Sequence, residues 1–186
     1  IINASSNAIS TNGGDSFAGA YGVVNSAIDS GEGNDSININ VSSNASSTNN
    51  WWWWGNGGDS NSEAVGIDNG SSIVTGDGND SININVDASA ATTNAWAIRD
   101  SSIDTGTGND VVTLSANDFS LSQGDAWDPA YGASNSSINL GTGDDTLIIN
   151  ASSNAISTNG GDSFAGAYGV VNSAIDSGEG NDSINI

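Results

Sequence analysis

The chain lacks histidine, cysteine and methionine, and its 186 residues include one Lys or Arg and one proline. Each absence removes chemistry. Without histidine, no side chain titrates near neutral pH at its ordinary pKa, so the usual proton shuttle is missing. Without cysteine there is no thiol nucleophile and no disulfide, and zinc held by Cys and His is excluded. One base, Arg99, stands against 22 acidic residues, and the net charge of −21 repels nucleic acid. No apolar run approaches the ~20 residues of a membrane helix, and no signal peptide is visible. The ligands that remain are carboxylates, amides and main-chain carbonyls, which are the donors of hard cations. The missing disulfides suit either a reducing compartment or a large secreted repeat protein that uses metal in their place.

Repetition organises what is there. Residues 1–39 and 148–186 are identical, an offset of 147 residues. Inside that unit runs a shorter, degenerate repeat ending in a glycine-rich turn: SGEGND, TGDGND, TGTGND, LGTGDD and SGEGND again. The last aspartates of these turns, Asp35, Asp80, Asp110, Asp145 and Asp182, are spaced by 45, 30, 35 and 37 residues. The unit therefore holds four coils of unequal length. Ile1-Ile2 and Ile184-Asn185-Ile186 both fall within strand-like patterns, which reads as an internal piece of a longer array.

The alternation is that of β-structure. Ile37, Ile39 and Val41 fall on one face of a strand after the turn. Tyr21 with Val23, Val65 with Ile67 and Trp96 with Ile98 alternate in the same way. The phase slips at Asn25, Asp100 and Asn135, ahead of Ile28, Ile103 and Ile138, and a one-residue slip reverses side-chain direction. Each coil then has three short strands and a corner, with Asn25, Asn69 and Asn135 placed for an amide ladder. One such set cannot bury its apolar face alone, whereas stacked coils share a continuous narrow core. The fold class is all-β, a parallel β-solenoid (β-helix or β-roll) running through 1–186 as one domain. Length varies in the loops after the first strand, from Ser46–Glu63 down to Asp87–Asn94.

The stretch Ser-Gly-Glu-Gly-Asn-Asp-Ser-Ile-Asn at 30–38 resembles the nonapeptide G-G-x-G-x-D-x-U-x of the RTX calcium-binding family, with the first glycine replaced. It recurs at 75–83, 105–113, 140–148 and 177–185. The resemblance implies Ca²⁺ between equivalent turns of neighbouring coils. Its ligands would be Asp35, Asp80, Asp110, Asp145 and Asp182. Carbonyls would come from the turns of Gly31 and Gly33, Gly76 and Gly78, Gly106 and Gly108, Gly141 and Gly143, and Gly178 and Gly180. The alternative is a tight turn capped by Asp hydrogen bonds with no ion. The family's coil is shorter and carries a metal turn on both sides. Here a second column, Gly13-Gly14-Asp15, Gly57-Gly58-Asp59, Gly124-Asp125 and Gly160-Gly161-Asp162, is the only counterpart, and the short coil lacks it.

Trp51, Trp52, Trp53 and Trp54 cannot all face one core, so they mark an interaction loop for self-association, for carbohydrate, or for folding over their own coil. A single centre repeated along a rod suits scaffolding better than catalysis, so no enzyme is expected unless a further domain supplies one. The expectation is an extracellular or cell-surface structural module, a filament, fibril, sheath or surface-layer rod that self-associates, stabilised by Ca²⁺. The alternative is a calcium-dependent adhesin for ice, carbohydrate or a surface. For ice, the outward turn positions Glu32, Asp77, Thr107, Thr142 and Glu179 carry too many charges for a flat array.

Overall fold

A computed structural model describes residues 1–11, 14–48 and 58–186. Trp51, Trp52, Trp53 and Trp54 lie outside the described residues. Every assigned strand belongs to one of three parallel sheets. The first coil is β1 (Ile2–Thr11), β2 (Ser16–Val24) and β3 (Ala27–Asp29). The second is β4 (Ser36–Thr48), β5 (Ser60–Asp68) and β6 (Ser72–Val74), and the third is β7 (Ser81–Ala90), β8 (Thr92–Arg99) and β9 (Ser102–Asp104). The fourth is β10 (Val111–Ser122), β11 (Ala126–Ser134) and β12 (Ser137–Asn139). The fifth is β13 (Thr146–Ser157), β14 (Ser163–Val171) and β15 (Ala174–Asp176), after which β16 (Ser183–Asn185) opens the next turn. The sheets run β1-β4-β7-β10-β13-β16, β14-β11-β8-β5-β2 and β15-β12-β9-β6-β3. This is the parallel solenoid that the two repeat lengths predict, with three strands to a coil.

The register places like on like. Ile39 pairs with Ile84, Ile84 with Leu114 and Leu114 with Ile149, while Ile28, Ile73, Ile103, Ile138 and Ile175 form the column of the shortest sheet. Most of these side chains are sealed from solvent in one core that runs through the stack. Fully burying an Ile or Leu is worth about 1.5–3 kcal/mol, so the columns supply the main drive for stacking.

The corners fall where the phase slip predicts. Asn25, Asn69, Asp100, Asn135 and Asn172 all have φ between 48° and 57°, a left-handed conformation that Asn and Asp tolerate best among non-glycine residues. The strand before the corner departs from the alternation that its sequence predicts. Tyr21 and Val23 do not share a face: Tyr21 is exposed, while Ala18, Ala20 and Val23 are buried. The face switches at Gly22, before the Asn corner. A Cβ at Gly22, Gly66 or Gly132 would collide with Ile39, Ile84 or Ile149 across the core. The interior there holds nothing larger than the methyl of Ala97, which takes this position in the third coil, and the aromatic rings of Tyr21, Trp96 and Tyr131 beside it are turned outward. Trp96, Tyr131 and Tyr168 accordingly stack on the surface, with centroids 5.6 and 5.0 Å apart.

The loops are also shorter than the sequence predicts. β4 runs to Thr48, and only Ala91 separates β7 from β8. These strand extensions bury small residues, Ala18, Ala45 and Ala90, together with Ser43, Ala88 and Ser120. The coil thus has a second, thin lobe, with no Ile or Leu inside it among the described residues.

Candidate functional site

The recurring turns begin with glycines that need their conformation. Gly31, Gly76, Gly106, Gly141 and Gly178 have φ of 77° to 91°, and Gly33, Gly78, Gly108, Gly143 and Gly180 have φ of 119° to 145°. Stacking adds a second demand. A Cβ on Gly76, Gly106, Gly141 or Gly178 would overlap the carbonyl of the corresponding glycine one coil back, and the second glycines are equally tight. Main-chain bonds then join the turns. Thr107 N–H donates to Gly76 O (2.9 Å), Thr142 N–H to Gly106 O (3.0 Å) and Glu179 N–H to Gly141 O (3.0 Å), while Gly78 N–H donates to Thr107 O (2.8 Å).

After this bridge the side chains of the Asn-Asp pair replace main-chain carbonyls as acceptors, and they do so in opposite directions. Asn79 N–H donates back to Asn34 Oδ1 (2.8 Å), Asn109 N–H to Asn79 Oδ1 (2.7 Å), Asp144 N–H to Asn109 Oδ1 (2.8 Å) and Asn181 N–H to Asp144 Oδ1 (2.9 Å). One residue on, Asp35 N–H donates forward to Asp80 Oδ1 (2.8 Å), Asp80 N–H to Asp110 Oδ1 (2.8 Å), Asp110 N–H to Asp145 Oδ1 (2.8 Å) and Asp145 N–H to Asp182 Oδ1 (3.0 Å). The amide ladder expected at the corner residues Asn25, Asn69 and Asn135 is therefore found at the turn, where each amide oxygen meets a main-chain N–H. At the corner the bonds are main chain to main chain, as from Asn135 N–H to Val171 O (3.0 Å).

The five aspartates predicted as a column form one. Asp80, Asp110 and Asp145 are 2%, 1% and 1% exposed. Their Oδ1 atoms are satisfied, but Oδ2 of Asp35, Asp80, Asp110 and Asp145 is buried without a hydrogen-bond partner. Desolvation, first, raises the carboxyl pKa of Asp110 and Asp145, and their like-charged neighbours in the column add to it. A line of orphaned acidic oxygens is what a hard cation would neutralise. The first-glycine carbonyls of the turn, by contrast, are engaged in inter-coil bonds. Among the described residues no group of three acidic side chains converges, short of the six to eight oxygens of a full Ca²⁺ cage. The Oδ2 line is thus where a hard cation such as Ca²⁺ would act as a counter-charge, and the carbonyls of Gly76, Gly106 and Gly141 already accept a bond from the next coil.

The second column is a weaker copy of the first. Asp59 N–H donates to Asp15 Oδ1 (2.9 Å) and Asp162 N–H to Asp125 Oδ1 (2.9 Å), all near the surface. It breaks at the short coil, where Ala91 N–H donates instead to Ser60 Oγ (2.9 Å).

Two features were missed in the sequence. Arg99 joins the third coil to the second, and Glu63 carries the link on to Tyr21 of the first. The Arg99 guanidinium holds Asp68 with Nε (2.8 Å) and Nη2 (2.7 Å), Glu63 with Nη1 (2.7 Å), and covers Trp96 at 4.4 Å. Tyr21 OH donates to Glu63 (2.7 Å), and burial followed by that bond pushes the phenol up to about 12. The signal was the uniqueness of the base in so acidic a chain. The second feature is the outward aromatic pair Trp127–Phe164, centroids 4.3 Å apart. Rings in these columns cover one another's faces, which leaves mainly edges to solvent.

No protein-family model, no curated protein and no solved structure matches the chain. The resemblance to the RTX nonapeptide thus rests on the five turns. Among the described residues no helix is long and apolar enough to cross a membrane.

Proposed function

We propose that the chain is a structural module of an extracellular or cell-surface rod, a filament, fibril, sheath or surface layer, with Ca²⁺ as counter-charge to its aspartate column. One observation carries the reading. The strands of the first copy return 147 residues later with the same bounds: β2 as β14 and β3 as β15. The corner returns too, Asn25 with φ 48° and Asn172 with φ 49°. The duplicated first strand pairs with the following coil, through β4, in the first copy, and with the preceding coil, through β10, in the second, where it forms residues 149–157 of β13. Its sequence therefore accepts a coil on both faces, and unit can follow unit along one axis. The role is non-catalytic, since the same turn is repeated along the rod.

The test is the length of arrays of one, two and four 147-residue units, measured by electron microscopy and small-angle scattering in Ca²⁺ and in chelator. At ~4.8 Å per coil, each unit adds about 19 Å to a rod of constant cross-section. Growth in cross-section, or a length that does not scale with unit number, ends the proposal. The adhesive alternative draws on the exposed aromatics Phe17, Trp127 and Phe164. Surface and carbohydrate binding absent from the wild-type array, together with no thermal hysteresis, dismisses it, and binding unchanged on replacing Trp51–Trp54 with alanine removes that loop as its seat.

A further inference from the structure

The thin lobe of the coil contains two acidic side chains that the turns do not use. Asp118 on β10 is 4% exposed and Asp128 on β11 is 0% exposed. They face each other across the lobe, and Asp128 is the charged group that acts on Asp118. Elsewhere the two columns hold small neutral residues. Ser6, Ser43, Ala88 and Ser153 stack with Asp118, and Ala165 pairs with Asp128. The pair therefore occurs in one coil of the four-coil unit.

Hydrogen bonding distinguishes the two acids. Asp128 Oδ1 accepts from the Thr93 hydroxyl (2.9 Å) and Oδ2 from Asn154 N–H (2.8 Å). Both Asp128 oxygens therefore have a donor. Both oxygens of Asp118 are buried and have no partner. A buried charge with no donor costs several kcal/mol unless it is neutralised. The two carboxyl groups and one hydroxyl are too few for the six to eight oxygens of Ca²⁺. A single proton, by contrast, turns Asp118 into a donor facing an acceptor.

We propose that Asp118 and Asp128 form an interior proton-binding site, a carboxylic acid facing a carboxylate, which tightens one coil of each unit in acid. Desolvation first, and then the facing Asp128, push the Asp118 carboxyl up to about 9; the nearby Thr93 hydroxyl and Ala95 N–H offset this only in part, since neither makes a hydrogen bond to Asp118. The other neighbours in the sheet, Ala88 on β7 and Ser153 on β13, do not titrate. The folded state thus binds this proton more tightly than the unfolded chain, where Asp titrates near ~3.9. The stabilisation is complete below that value and is lost as pH rises towards about 9, by about tenfold in the folding equilibrium per pH unit.

Urea unfolding of the whole chain between pH 4 and 9, in chelator, tests the site against Asp118→Asn, whose amide imitates the neutral acid. The expected result is a wild-type folding equilibrium that falls about tenfold per pH unit more steeply than that of the variant. The variant is then the more stable at pH 8, and the gap closes towards pH 4. Asp118→Ser, which places here the residue that neighbouring coils carry, gives the same loss of slope if Asn packs badly. Equal slopes in all three proteins overturn the proposal. So does a gain in wild-type stability from Ca²⁺ at pH 8 that both variants lose, which would make this a cation site. Because the decisive slopes are taken in chelator, they stand or fall independently of Ca²⁺ at the GxGND turns.

Discussion

Replacing Asp110 with Asn separates the charge of the turn column from its hydrogen bonds. The native side chain has two roles. Its Oδ1 accepts the N–H of Asp80 (2.8 Å), and its Oδ2 is buried with no partner. Asn keeps the first role and removes the charge from the second. The energy at stake follows from the stacking. Carboxylates one coil apart, at ~4.8 Å, repel by about 3 kcal/mol at an effective dielectric constant of ~20. Asp110 has such a neighbour on each side, Asp80 and Asp145. Salt and the nearby surface screen most of this, so the expected gain in chelator near neutral pH is about 1–3 kcal/mol. That is a rise in Tm of ~2–10 °C for a chain of this size. The raised carboxyl pKa of Asp110 gives the same sign, because the ionised form is the costly one in the folded state. Ca²⁺ reverses the order. An ion that binds only the folded state stabilises the wild type according to its concentration over Kd, and the neutral variant loses that gain. Circular dichroism melts of both proteins, with chelator and then at increasing Ca²⁺, should therefore cross. A variant less stable than wild type in chelator refutes the charge argument. Parallel behaviour under Ca²⁺ refutes the ion and leaves a turn held by hydrogen bonds alone.

The glycine ladder makes its own prediction. Gly33→Ala meets open space and should cost only its conformational strain, about 1 kcal/mol at φ 119°, whereas Gly108→Ala at φ 128° also drives a Cβ into Gly78 O and should cost more than about 3 kcal/mol. Equal denaturant midpoints for the two variants would remove inter-turn stacking as the reason for these glycines. Arg99→Met strips Asp68 and Glu63 of their partner, and with the Arg99 side chain 23% exposed the loss is about 2 kcal/mol after allowance for solvent. Because Arg99 holds the Asp68 carboxyl below its usual value, that contribution is present above ~pH 4 and fades as pH falls. The deficit of the Met variant should therefore shrink in acid, and a deficit that is constant with pH would assign it to lost packing over Trp96.

The solenoid was legible because its main core obeys a simple rule: Ile37, Ile39 and Val41 alternate, and the pattern returns after every turn. The corners were legible because Asn25, Asp100 and Asn135 stand where the phase slips. The turn column was legible because Gly-x-Gly-Asn-Asp leaves few conformations open. What escaped was the part of the coil with no apolar alternation. Ser43, Ala88 and Asp118 lie inside β4, β7 and β10 as fully as Ile39, Ile84 and Leu114 do. Hydrophobic periodicity nonetheless gives them no inward mark, so the ends of these strands read as loop. The outward turn of Tyr21 escaped for the opposite reason: an aromatic in an alternating run reads as core until Gly22 is set against Ile39. A stacked coil resolves both ambiguities by the same constraint. Every inward position must fit between the residues of the coils before and after it, and the gap narrows from Ile and Leu at one end to Ala and Ser at the other. A carboxylate placed in the wide end would meet only hydrocarbon. At the narrow end Asp128 finds the Thr93 hydroxyl and the Asn154 N–H within 2.9 Å, and Asp118, with no donor of its own, faces it there as the acid.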